Sequence, residues 1–118
     1  MKSHWMTHNG KNIFYADYSN MNPEELQAEG ASIVSALSVM PKNSVLSLVD
    51  VRGTFGTPDA MNILKGITSK TKYFVHKRAV VGITGVQKIL LKGLNQFVGQ
   101  NSVPFDSVDE ALEWLIQN

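Results

Sequence analysis

Val45-Leu46-Ser47-Leu48-Val49-Asp50-Val51, then Arg52-Gly53-Thr54-Phe55-Gly56, then Thr57-Pro58-Asp59, is the stretch that decides the fold of this chain. The opening run is almost continuously apolar and of strand length, the pattern of a strand buried on both faces within a parallel sheet. The glycine-containing loop ends it. Thr-Pro-Asp has the chemistry of a helix start: a hydroxyl cap, a proline suited to the first helical position, and an acid near the positive end of the helix dipole. Met61, Leu64, Ile67 and Thr68 then form an inner stripe at helical spacing.

The same strand–loop–helix grammar extends in both directions. Upstream, His4–His8 and Lys11–Tyr18 flank Asn9-Gly10, the dipeptide of a tight hairpin turn. Asn22 caps a helix opened by Pro23, Glu24 and Glu25 and ended by Pro41-Lys42-Asn43. Leu26, Ile33, Val34, Leu37 and Met40 are its inner positions, and Glu25, Glu29, Ser32 and Ser35 its polar flank. Downstream, a strand lies within Tyr73–Ile83, surest over Ala79–Ile83. Thr84-Gly85-Val86-Gln87 reads as a capping box. The helix behind it is lined by Val86, Ile89, Leu90, Leu94, Phe97 and Val98 and stopped by Gly99. Val103-Pro104-Phe105 is a short edge strand, and Ser107-Val108-Asp109-Glu110 opens a last helix that buries Leu112, Trp114 or Leu115. The order β-β-α-β-α-β-α-β-α specifies an α/β domain over residues 1–118, with a mixed, mainly parallel sheet, right-handed crossovers, an N-terminal hairpin and four helices.

Composition narrows the chemistry. The chain has 118 residues, 43% apolar and 18% charged, which suits one globular core. No apolar stretch approaches the roughly 20 residues that span a bilayer, and Met1–Trp5 is no secretory leader, so a cytoplasmic protein without a membrane span is expected. The absence of cysteine removes disulfides, thiolate metal sites and cysteine nucleophiles. A net charge of +1 argues against a nucleic-acid partner. The local basic run of Lys70, Lys72, His76, Lys77 and Arg78, with Lys88 and Lys92 beyond, reads as a solvated edge strand and helix end.

Ligands of open α/β sheets bind at the carboxyl ends of the parallel strands. The loops there hold Asp17, Ser19 and Asn20; Asp50, Arg52, Gly53, Thr54 and Thr57; and Thr84, Gly85 and Lys88, with Gln87 between. Two readings stand. In one, helix starts at Thr57 and Thr84 present amides to a small anion gripped by Arg52 in the crevice between these loops. In the other, the threonines only cap helices, the glycines only permit turns, and Arg52 pairs with Asp50. Asp17 and Asp50 pair across adjacent strands in an acid–base reading, or accept loop amides in a structural one. No dinucleotide fingerprint, P-loop or nucleophile elbow occurs. His4 and His8 on a strand stand about 13 Å apart, too far for one metal ion. No catalytic residue, cofactor or metal is therefore expected. Leu91, Leu94 and Val98 widen the apolar span of the helix after Thr84, which fits either packing on two sides or a lipid or partner surface.

Lys11–Ser19, Val45–Thr54, Ala79–Ile89 and Phe105–Leu115 together resemble the STAS/SpoIIAA-like group of small bacterial domains. The resemblance implies a mixed sheet used for protein–protein regulation, hence a non-enzymatic regulatory or interaction module working through the loop and helix after the central strand. In anti-sigma-factor antagonists of this fold a partner kinase phosphorylates a serine at the start of the second helix. The matching region, Arg52 to Asp59, has no Asp-Ser-Ser, so Thr54 and Thr57 are the candidate phosphoacceptors. The expected partner is a protein. The alternative is a small anionic or lipid-like ligand, and an exposed edge strand or the hairpin would support a homodimer.

Overall fold

The hairpin turn forms around Asn9 and Gly10, whose φ angles of 47° and 81° match the right-handed twist of the strands they join. In the computed structural model, which describes residues 1–100 and 102–117, it joins β1 (His4–His8) to β2 (Lys11–Asp17). The remaining elements are α1 (Pro23–Leu37), β3 (Val45–Asp50), α2 (Pro58–Thr71), β4 (Val75–Val81), α3 (Gln87–Val98), β5 (Ser102–Phe105) and α4 (Val108–Ile116). The sheet order is β1-β2-β3-β4-β5, antiparallel at the hairpin and parallel elsewhere.

Strand order that follows chain order fixes the layers. Successive right-handed crossovers in one direction place α1, α2 and α3 on the same face. Phe14, Ala16, Val49 and Val80 pack there against Leu26, Ile33, Leu64 and Leu94. The chain then turns back, and α4 covers the other face with Ala111, Leu112 and Leu115 against Ile13, Leu48 and Ala79. Gly30 allows α1 and α2 to approach closely, because a side chain there would run into Ile67. Of the two tryptophans, Trp5 meets Phe14 edge-on on β1, while Trp114 on α4 lies against Phe105 under the Lys77 ammonium.

Five expectations are corrected. Glu29 is not on a polar flank: it is buried, and its carboxylate accepts the backbone amides of Lys2 (3.2 Å) and Ser3 (2.8 Å). α1 ends at Leu37, before Met40, with Ser38 as its C-cap. Thr84 is no N-cap; α3 begins three residues later, and only the Gln87 half of the box forms, its Oε1 accepting the Thr84 amide. The basic run is not an edge, since β4 lies between β3 and β5 and Arg78 is buried. Finally, α3 buries Leu91, Leu94 and Val98, whereas Val86, Ile89, Leu90 and Phe97 are exposed. Apolar residues cover two sides of this helix, and spacing alone does not decide which side meets the sheet.

Candidate functional site

The carboxyl ends of β2, β3 and β4 do bring the sequence candidates together. The amide of Tyr18 bonds to the Asp50 carbonyl, that of Asn20 to Arg52, and that of Val51 to Val81. Gly82, at φ 97°, lies so close to Arg52 that a Cβ would stand 2.6 Å from its backbone nitrogen.

Asp50 is the centre of this edge and is fully buried. Its Oδ1 accepts the backbone amide of Arg52 (3.1 Å) and the Nε of Arg52 (3.0 Å). Its Oδ2 accepts the Tyr15 hydroxyl (2.8 Å) and Arg52 Nη2 (2.6 Å). Burial pushes the carboxyl pKa up, but hydrogen bonds from the Arg52 guanidinium, its amide and Tyr15 outweigh that and hold it below the usual range. Tyr15 is pushed up to about 12, first by burial and then by Asp50, and Arg52 is raised by the same carboxylate. Asp17 pairs in register with Asp50, yet its Oδ1 is occupied by the Ser19 amide (3.0 Å) and hydroxyl (2.6 Å), with the Lys2 ammonium at 3.6 Å. Each carboxylate is thus engaged by its own set of donors, Asp50 by Arg52 and Tyr15 and Asp17 by Ser19 and Lys2.

The loops around them divide differently from the expectation. Thr54 is buried; its hydroxyl donates to the Tyr18 carbonyl (2.6 Å) and accepts the Met21 amide (3.0 Å). Both the proton and an acceptor site of the Thr54 hydroxyl are thus engaged inside the fold. Thr57 is exposed and caps α2, its oxygen accepting the Ala60 amide. Asn20 and Gly53 adopt left-handed backbone (φ 53° and 73°) where their two loops touch. The crevice between the Arg52 and Thr84 loops is bridged by Gln87, whose Nε2 donates to the Phe55 carbonyl (3.1 Å). Gly85 and Lys88 lie on its exposed outer lip. Gln87 thus spans the crevice where an anion was expected. The histidines are dispersed: His4 stacks on Tyr15, His8 meets Glu113 at 3.0 Å, and His76 is exposed.

Two features lay outside the candidate set. One is the outer face of α3. Val86 (78% exposed), Ile89 (70%), Leu90 (43%) and Phe97 (69%) recur at spacings that place them on one side of the helix. The other is an internal cavity of about 40 Å³ between the sheet and α1–α3, into whose lining Arg78 projects from the middle of β4. Burial pulls the guanidinium down to about 10, so it stays cationic at neutral pH. The signal for both was present in the sequence. Arg78 is followed by Ala79-Val80-Val81, and four large apolar residues exceed what one helix face buries.

No protein-family model matches the chain, and no curated protein matches it. Among solved structures it is similar to the crystal structure of an uncharacterized protein from the DUF3478 family with a SpoIIAA-like fold, from Shewanella loihica PV-4. The TM-score is 0.73 at 16% identity, over 96% of this chain and 91% of that one. The chain therefore has the SpoIIAA-like fold that its sequence resembles.

Proposed function

We propose that the protein is a non-enzymatic regulatory or interaction module that docks a partner protein on the outer face of α3. The exposed stripe of Val86, Ile89, Leu90 and Phe97 carries the reading, because soluble proteins rarely leave so contiguous an apolar surface without a use for it. Charge specifies the partner. No acidic residue occurs between Asp59 and Asp106, Lys92 borders the stripe on its helix, and the Lys65 ammonium lies over the Phe97 ring. A complementary surface is an apolar groove with an acidic rim. The helix after the central strand fits the role less well, since its outward residues Asp59, Asn62, Ser69 and Lys70 are an ordinary solvated face. The hydrogen-bonded state of Asp17 and Asp50 supports the non-enzymatic part. Thr57, exposed at the start of α2, is the more accessible candidate for a phosphoswitch.

A photo-crosslinking residue placed at Ile89 or Phe97, and at Asn62 as the comparison, tests this in cells. A discrete protein adduct is expected from the first two and none from the third. Equal adducts from all three positions, or co-flotation of the chain with anionic vesicles in place of an adduct, would overturn the protein-partner reading.

A further inference from the structure

Ser47, Arg78 and Ser102 stand in register on β3, β4 and β5, a row of buried polar side chains on the otherwise apolar face beneath the helices. Arg78 is 6% exposed. Its Nη1 donates to Gln100 Oε1 (2.6 Å) and its Nη2 to the Thr71 hydroxyl (2.9 Å). Both acceptors are neutral. Among the described residues the ion pairs are Lys2–Asp17, His8–Glu113 and Arg52–Asp50, so none gives Arg78 a counter-charge.

We propose that the cavity beside Arg78 binds a small monocarboxylate of the size of acetate, with its carboxylate on the Arg78 guanidinium. Three observations select that class. A single buried cation calls for a single negative charge, and the planar guanidinium matches a carboxylate through parallel hydrogen bonds. The opposite walls, Leu37 of α1, Ile67 of α2, and Leu91 and Leu94 of α3, are hydrocarbon and favour a hydrocarbon end. The volume of about 40 Å³ is roughly three times the 10–15 Å³ that holds one water, which limits the ligand to about the size of acetate. Phosphate, polar on every side and doubly charged, fits neither the walls nor the charge. This site is separate from the α3 surface and stands or falls without it.

Thermal unfolding and isothermal titration of the full chain with sodium acetate, against sodium butyrate, chloride and phosphate at matched ionic strength, provide the test. Saturable binding of acetate is expected, with a rise in Tm that chloride and phosphate do not reproduce and that butyrate, too large for the cavity, does not match. Arg78→Met should weaken it at least tenfold. Ser47→Leu, which fills the cavity and keeps the guanidinium, should do the same and decides the matter if Arg78→Met does not fold. A response equal in butyrate, chloride or phosphate overturns the ligand class. Absence of any response, or one unchanged in either folded variant, overturns the site.

Discussion

Arg52 and Arg78 sit in neighbouring parts of the same sheet and live in opposite circumstances. Arg52 is largely exposed, yet it has a buried carboxylate wrapped by its guanidinium and amide. Arg78 is buried, yet its acceptors are an amide oxygen and a hydroxyl. The sheet itself explains the mismatch. Asp50 shares the α4-covered face with its partner Tyr15, whereas Arg78 shares the opposite face with Ser47 and Ser102. The comparison teaches that the conspicuous loop arginine is a clamp that closes the carboxyl edge, while the inconspicuous strand arginine is the cation left open to an outside anion.

The largest effect should come from breaking the clamp. Asp50→Asn removes acceptors from two charged or polar donors in a buried setting and should cost about 2 kcal/mol in urea unfolding. A loss below about 0.5 kcal/mol, the level of an ordinary surface change, would make the clamp incidental. Removing the charge at Arg78 should act in the opposite direction. Arg78→Met exchanges an uncompensated buried cation for hydrocarbon and should stabilise the anion-free protein by about 1 kcal/mol. A clear destabilisation would instead make Arg78 a structural residue and dissolve the contrast.

A smaller difference separates the two threonines. Thr57→Ala should cost about 1 kcal/mol as a lost cap, and Thr84→Ala should stay within about 0.5 kcal/mol because its hydroxyl caps nothing. Equal costs would restore Thr84 as a cap. Acid titration sharpens the comparison without a large amplitude. Asp50 and Glu29 are both held below their ordinary values of 3.8 and 4.5. For Glu29, burial pushes upward, but the Ser3 and Lys2 hydrogen bonds prevail. The unfolded chain therefore binds these protons first as pH falls, so the stability they contribute is complete above those values and declines below them. Asp50→Asn and Glu29→Gln should each flatten that acid limb, followed by unfolding at stepped pH. Arg78→Met should leave it unchanged.

What could be read in advance was whatever is encoded locally. Asn9-Gly10, Asn22-Pro23, Thr57-Pro58 and Ser107 mark turns and caps whose chemistry lies within four residues, and the element order follows from them. The Asp50–Arg52 pair is two residues apart and was equally legible as one of two readings. The rest depends on partners distant in the chain. Glu29 is buried because the backbone of Lys2 and Ser3 arrives to meet it. Arg78 is buried because β5 closes over the outer side of β4. Gln87 spans the crevice between its own loop and the Arg52 loop because the Phe55 carbonyl, distant in the chain, accepts its Nε2. On α3, two apolar sides compete for one sheet, and the pattern is symmetric until the tertiary structure chooses between them.

The two tryptophans give this architecture an optical consequence. Trp5 belongs to the hairpin edge and stands on Phe14, whereas Trp114 belongs to the single helix of the opposite layer, between Phe105 and an ammonium group. Trp5→Phe and Trp114→Phe would each leave one indole. Emission from the first variant would then follow α4, and emission from the second the amino-terminal edge, so the two faces of one sheet can be watched melting separately.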